Sequence, residues 1–447
     1  MTASLEEEIG RWRSYLHRRQ AIQPVDVAEL EDHLREQIAG LTRAGLSADE
    51  AFLVAVKRMG ELDALSREFA REHSERLWKQ LVASSPDGSE PQRDSAMAFA
   101  LAALAALLIK VPALFGLRLD ADTGFYARNL SLFVLPVLTG YFVWKRRLDL
   151  RAFGWFAAAF VVAAVAVNLY PLATGGSTEL LTALHLPVAL WLLVGMAYAG
   201  RRWNEVGGRM DFIRFSGELF IYYVLIALGG AVLVASMALV FQVVGIDIGP
   251  FFVSWLLPCG AAGAVVIGSW LVESKQSVIE NMAPVLARLF TPLFAAVLIA
   301  FLATLLWTGR GIAIERNALL AFDVLLVMVL GLLLYSTSAR DPRAPAGAFD
   351  VVQVVLVVSA LLADAFALWS VAERITEFGF SPNRLAVLGL NVVLLVNLAW
   401  SAVLYAGFLR GKASFGRLER WQTDYLPVYA LWAAVVVVVL PPLFGFA

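Results

Sequence analysis

The chain has 447 residues, of which 60% are hydrophobic and 16% charged, with a net charge of −1 and a mean hydropathy of +0.71. A soluble globular protein is about 45–50% apolar and about 25% charged, so this chain has too little polar surface to cover a water-soluble body and must turn apolar surface to lipid. Ordinary numbers of Gly and Pro exclude collagen-like and low-complexity chains, and a single cysteine, Cys259, excludes a disulfide framework or a multi-cysteine metal site.

Charge divides the chain. Residues 1–94 carry 13 basic and 18 acidic side chains, whereas residues 95–447 carry 23 and 19 over a stretch nearly four times as long. This predicts a small soluble domain (1–82), a polar linker (83–94) with Pro86, Gly88 and Pro91, and a transmembrane helical domain (95–447). The first residues hold Glu6, Glu7 and Glu8 and no apolar core of a signal peptide, so the soluble part is expected to stay in the cytoplasm. Within it, Ser4 with Glu7, Asp26 with Glu29, and Ser47 with Glu50 have capping-box spacing. Val27, Leu30, Leu34, Ile38 and Leu41 then recur at helical spacing, and Gly45 suits a left-handed helix end. A second stripe, Ala51, Phe52, Ala55, Val56 and Met59, closes at Gly60, and a last helix is predicted over 61–81. Short amphipathic helices are not stable alone, so these predict a bundle of three or four.

Eleven apolar runs follow, at about 95–119, 129–144, 153–170, 180–199, 212–244, 251–272, 284–307, 318–335, 349–377, 382–409 and 425–444, against about 20 residues needed to cross a bilayer. The second and third are short, which leaves open a re-entrant hairpin. With the N-terminus inside, the inner loops hold 16 Lys and Arg and the outer loops 6, in keeping with the positive-inside rule and a C-terminus outside. The expected class is therefore all-α: a polytopic membrane protein with a cytoplasmic helical bundle.

Two stretches resemble known families. Residues 9–81 contain I-x-R-W-R-x-Y-L, E-L-E-D-H-L-R-E-Q-I, G-L-S-A-D-E-A-F-L-V-A-V-K-R-M-G and L-S-R-E-F-A-R-E-H-S in order, and this resembles the bacterial permease prefix domain, a small helical signalling-type domain found before multi-pass segments. Residues Arg374-Ile375-Thr376-Glu377-Phe378-Gly379-Phe380-Ser381-Pro382-Asn383-Arg384 resemble the R-I-x-x-Y-G-L-T-x-x-R signature of a bacterial membrane family known as domain of unknown function 4153, with Phe378 for the usual Tyr and Ser381 for the usual Thr. Neither resemblance implies a reaction. Both imply a bacterial inner-membrane protein with a helical prefix.

The second motif also has a direct reading. Gly379 can end one helix, Ser381 can cap the next, and Pro382 fits its first position. Glu373, Arg374, Glu377 and Arg384 can cross-pair there, as a structural clasp or as an external ligand or headgroup contact. Asp364, centred in the run 349–377, costs about 2.5–3.5 kcal/mol to insert and is expected to face the bundle interior. Gln353 shares its helix face, and Asn397, Ser401 and Tyr405 form a polar stripe on the next run that can hydrogen-bond Asp364. Lys110 is a possible counter-charge, and Asp323 an alternative acid nearer the surface. Two readings stand: a proton- or cation-linked site, or a polar clasp fixing helix register. Gly260, Ala264 and Gly268 predict a close helix contact, and His185 a hydrogen-bonded core histidine.

No catalytic or nucleotide motif stands out. Gly407 to Ser414 has one residue too few between its glycines for a phosphate loop. No cofactor, metal or nucleic acid is expected. The expected partners are membrane lipid, a cytoplasmic protein through the prefix bundle, and a second copy of the chain. A membrane sensor or regulatory scaffold is the leading expectation, a secondary transporter with an ion-coupled site at Asp364 the alternative.

Overall fold

The structure, a computed structural model, describes residues 5–6, 8–10, 12, 24–59, 90–119, 121–243, 247–274, 283–308 and 316–447. Among these residues all regular structure is helical, and the chain divides into two compact units, Met1–Asp94 and Ser95–Ala447. The all-α membrane class expected from composition holds.

In the first unit, α1 (Pro24–Arg43) and α2 (Ala48–Met59) enclose a small core of Leu34, Ile38, Ala51, Phe52, Ala55 and Val56, with Ile9 and Trp12 buried against them. The turn between them follows from two local signals. Gly45 is left-handed (φ +100°), and the Leu46 and Gly45 amides donate to the Leu41 and Thr42 carbonyls, closing α1 in a Schellman motif. Ser47 and Glu50 then form the expected capping box: the Ser47 backbone N–H donates to Glu50 Oε2 (3.0 Å), and the Glu50 N–H donates to Ser47 Oγ (3.4 Å). The cap expected at Asp26 is different, because α1 is already helical from Pro24, a residue suited to a first turn where its missing N–H is no loss. The Ser4–Glu7 cap and the helix expected over 61–81 lie outside the described residues.

In the second unit, helices occur where each of the eleven apolar runs was expected: α3 (Glu90–Leu108), α4 (Thr123–Lys145), α5 (Leu150–Leu169), α6 (Ser177–Ala199), α7 (Val206–Val243), α8 (Leu257–Ser274), α9 (Ala283–Thr308), α10 (Arg316–Ala339), α11 (Ala348–Phe378), α12 (Pro382–Leu409) and α13 (Gly416–Val438). A one-turn α14 (Leu440–Leu443) follows. α3 begins at Glu90, inside the stretch expected to be linker. Among the described residues, eight of the helices are long and apolar enough to cross a membrane: α3 with the 3₁₀ turn after it, α5, α6, α7, α8, α9, α11 and α12. The two short runs form complete helices of 23 and 20 residues. A helix of that length spans about 30 Å.

Two apolar cores organise this unit. One gathers Leu138, Tyr141, Phe142, Phe156, Leu190, Val194, Phe212 and Phe215 from α4 to α7. The other gathers Leu298, Val329, Leu333, Leu356, Val357, Ala360, Ala363, Leu394 and Leu398 from α9 to α12. Glycines allow the closest approaches: a Cβ at Gly195, Gly217 or Gly389 would run into the rings of Phe212, Tyr335 and Trp432 respectively. Of the small-residue face on α8, Gly268 meets Leu219 of α7 and Ala264 is buried, whereas Gly260 has open space around it. His185 is hydrogen-bonded as expected, its Nδ1 2.9 Å from the Leu181 carbonyl.

Candidate functional site

Asp364 lies inside the second core, with 0% of its surface exposed. Its flanking residues on α11, Ala360, Ala363 and Ala367, are small and buried, so neighbouring helices close over it. No hydrogen-bond donor reaches either of its carboxyl oxygens. Asp323 of α10 is also buried and near enough to act electrostatically on Asp364. Asn391 of α12, fully buried, donates through Nδ2 to Asp323 Oδ1 (3.2 Å). Asp323 Oδ2 and Asn391 Oδ1 have no hydrogen-bond partner. The result is a cluster of acids and an amide on three adjacent helices, rich in acceptors and poor in donors.

Helix register explains the depth. Asp364 lies about 22 Å from Gly379 along α11, and Asn391 lies about 18 Å from it along α12, at 1.5 Å per residue. In the other direction, Asp350 and Arg340 pair at the far ends of α11 and α10 through two hydrogen bonds of 2.8 and 3.0 Å. Asp364 is about 21 Å from Asp350 and Asp323 about 25 Å from Arg340. Asp364 therefore sits near mid-length of α11, and Asp323 and Asn391 lie at a similar level, about a third of the way along α10 and α12. Burying an acid there without a donor is costly unless the group is neutral or a cation is present.

The polar stripe on α12 does pair across helices, but its partner is Gln422 of α13 and not Asp364. Asn397 Nδ2 donates to Gln422 Oε1 (3.1 Å), and Gln422 Nε2 donates to Ser401 Oγ (2.7 Å). Ser401 Oγ and Trp421 Nε1 both donate to the Asn397 carbonyl. Tyr405 continues the stripe toward the Arg340 end, where its hydroxyl meets that of Thr337. Gln353 is buried on α11 and donates to Thr291 Oγ1 of α9 (3.3 Å). Lys110 is not a counter-charge for Asp364: its ammonium sits 4.6 Å from the centre of the Trp255 ring, beside α8.

The hairpin motif forms as expected in its backbone. Gly379 has φ 73° and ψ −177°, its N–H donates to the Ile375 carbonyl (2.9 Å), and Ser381 Oγ accepts from the Arg384 N–H (3.4 Å). The charges behave differently from the expectation. Arg384 donates to the carbonyls of Phe378 (3.1 Å) and Gly379 (2.8 Å), capping the orphan end of α11, while Glu373 and Glu377 stay exposed. Arg374 is half-buried beside them.

Sequence reasoning missed three features. Asn391 was visible as an amide inside an apolar run. Gln422 falls just before the last run and carried no signal of its own. Glu218, an acid inside the run 212–244, is buried on α7 and acts electrostatically on Tyr198, Tyr222 and Tyr335. It lines a polar cleft of ≈ 320 Å³ with Arg146, Arg202, Asp211 and Arg214. The arginines of that cleft are already engaged: Arg146 with Glu273 (3.0 Å), Arg202 with Asp211 (3.1 Å), and Arg214 with the Ser338 carbonyl. Comparison with protein-family models, with curated proteins and with solved structures finds no match to this chain.

Proposed function

We propose that the protein is a membrane sensor or regulatory scaffold: its spans respond to a ligand or to the state of the membrane, and the helical unit of residues 1–82 passes that response to a cytoplasmic protein partner. The observation that carries this reading is the enclosure of Asp364, fully buried and without a donor. A buried acid of this kind makes the packing of α10, α11 and α12 depend on whether the group carries charge, and a packing with two charge states is a switch. The polar contacts around it link helix to helix, as in the Asn397–Gln422–Ser401 group. The two resemblances support a bacterial inner-membrane setting with a cytoplasmic helical prefix, and the loop charges support an N-terminus inside and a C-terminus outside.

A second reading, a secondary transporter with a proton- or ion-coupled site at Asp364, is favoured by the depth of that acid, since transporter sites lie near the bilayer midplane. Purified protein in vesicles loaded with a pH-sensitive dye separates the two. The sensor reading expects no proton flux above that of empty vesicles, for wild type and Asp364→Asn alike. A flux present in wild type and absent in Asp364→Asn would replace it with the transporter.

A further inference from the structure

We propose that Asp323 and Asp364 form one proton-binding unit in the middle of the membrane domain, with Asn391 as the positioning residue for Asp323. This rests on the sensor reading for its use and names what is sensed: a proton taken from water onto a carboxyl oxygen. Three observations carry it. Both acids are buried, at a similar level on adjacent helices, and Asp323 acts electrostatically on Asp364. Four buried oxygens in the cluster, both of Asp364, Oδ2 of Asp323 and Oδ1 of Asn391, have no hydrogen-bond donor. No basic side chain pairs with Asp364 among the described residues.

Among the described residues, the surrounding helices place no cation against Asp364. On α9 the ionisable Arg288 is exposed. On α11 the others are Asp350, Glu373, Arg374 and Glu377, toward its two ends. On α12 they are Arg384, about two turns before Asn391, and Tyr405, about four turns after it, and on α10 the other described ionisable group is Tyr335, toward the Arg340 end. On α7 and α13, which also pack on α10, the charged groups are Arg209, Asp211, Arg214 and Glu218, and Arg417, Glu419, Arg420 and Asp424. None of these pairs with Asp364.

Two carboxyls that share one low-dielectric site cannot both ionise, so they titrate as a pair with apparent values that belong to the unit. A proton suits the site better than a metal ion. A hard cation asks for about six oxygens, whereas a proton needs one oxygen to hold it and one to accept from it. Asn391 holds Asp323 in place through its amide, and the Asp364 carboxyl is left to exchange the proton.

Infrared spectroscopy of the full chain in lipid nanodiscs tests this. Wild type should show the carbonyl band of a protonated carboxylic acid that rises and falls reversibly as the pH is titrated. Asp364→Asn should abolish the band, Asp323→Asn should move its midpoint by about one pH unit, a tenfold change in proton concentration, and Asn391→Leu should move it in the wild-type pair. An unchanged band in Asp364→Asn overturns the proposal, as does an unchanged midpoint in Asp323→Asn, which would mean separate sites. Loss of the band on adding sodium at fixed pH also overturns it, in favour of an alkali cation. If an Asn variant fails to fold, wild type carrying ¹³C-labelled aspartate decides alone: a titrating band without the isotope shift, or no titrating band, contradicts the unit. The band reports protonation whether or not the chain signals. A titrating pair with no effect on the cytoplasmic unit keeps the dyad and removes the sensor, and the reverse result removes the dyad.

Discussion

Asp364 and Gln422 show how differently two buried polar residues can be treated by the same bundle. Gln422 uses both ends of its amide, receiving from Asn397 and donating to Ser401. Asp364 uses neither oxygen. Removing a satisfied amide orphans its partners, so Gln422→Leu should lower the stability of the detergent-purified protein by about 1 kcal/mol, between the soluble-protein and membrane averages for such contacts. A thermal midpoint equal to or above wild type would contradict the clasp. The Asn397–Ser401 stripe was legible because its i, i+4 spacing places both on one helix face. Its partner was not, since Gln422 precedes the apolar run and only tertiary packing brings it there. The same limit hid the pairing of Asn391 with Asp323, although each residue alone was visible.

Local signals fixed the helix ends more reliably than the partners. Gly45, Ser47 and Glu50 act within a few residues of one another, so their spacing alone specified the turn. Ser47 donates its backbone N–H to Glu50, which holds that carboxyl below its ordinary range. A carboxyl lowered on folding contributes stability above its unfolded value, and that contribution is lost as the pH falls through the folded value. Residues 1–82 made alone should therefore melt cooperatively at neutral pH and weaken on acidification, and Glu50→Gln should lessen that acid sensitivity in circular dichroism melts. A disordered spectrum at neutral pH would refute the independent unit. The hairpin between α11 and α12 gives a second local test. Gly379 combines φ 73° with ψ −177°, a region kept almost entirely for glycine. Gly379→Ala should cost about 1–3 kcal/mol, seen as a lower thermal midpoint, while Phe378→Tyr, exposed at the same turn, should leave it unchanged. Arg384 turned to carbonyls instead of carboxylates because an α-helix ends with unpaired acceptors close at hand, a competition that a list of charges does not reveal.

At the scale of the whole chain, composition alone predicted the class, and the run of apolar segments predicted where the helices lie. Eight of the eleven runs give helices that qualify as spans by length and hydropathy. α4 and α13 carry polar and charged residues at their starts, such as Arg128 and Asn129, or Arg417, Glu419 and Arg420, and part of α10 lies among residues whose side chains are not described. Orientation depends on loop charge, a bias of insertion that leaves no mark on helix packing. The proposed activity depends on coupling between the membrane unit and the helical unit that precedes it. The most direct measurement of that coupling is hydrogen–deuterium exchange of the full chain in nanodiscs, followed in peptides from α1 and α2, for wild type and Asp364→Asn. The sensor account predicts a several-fold change in exchange there, from a substitution buried in α11. Identical exchange in the two proteins, with the membrane helices themselves altered, would contradict it.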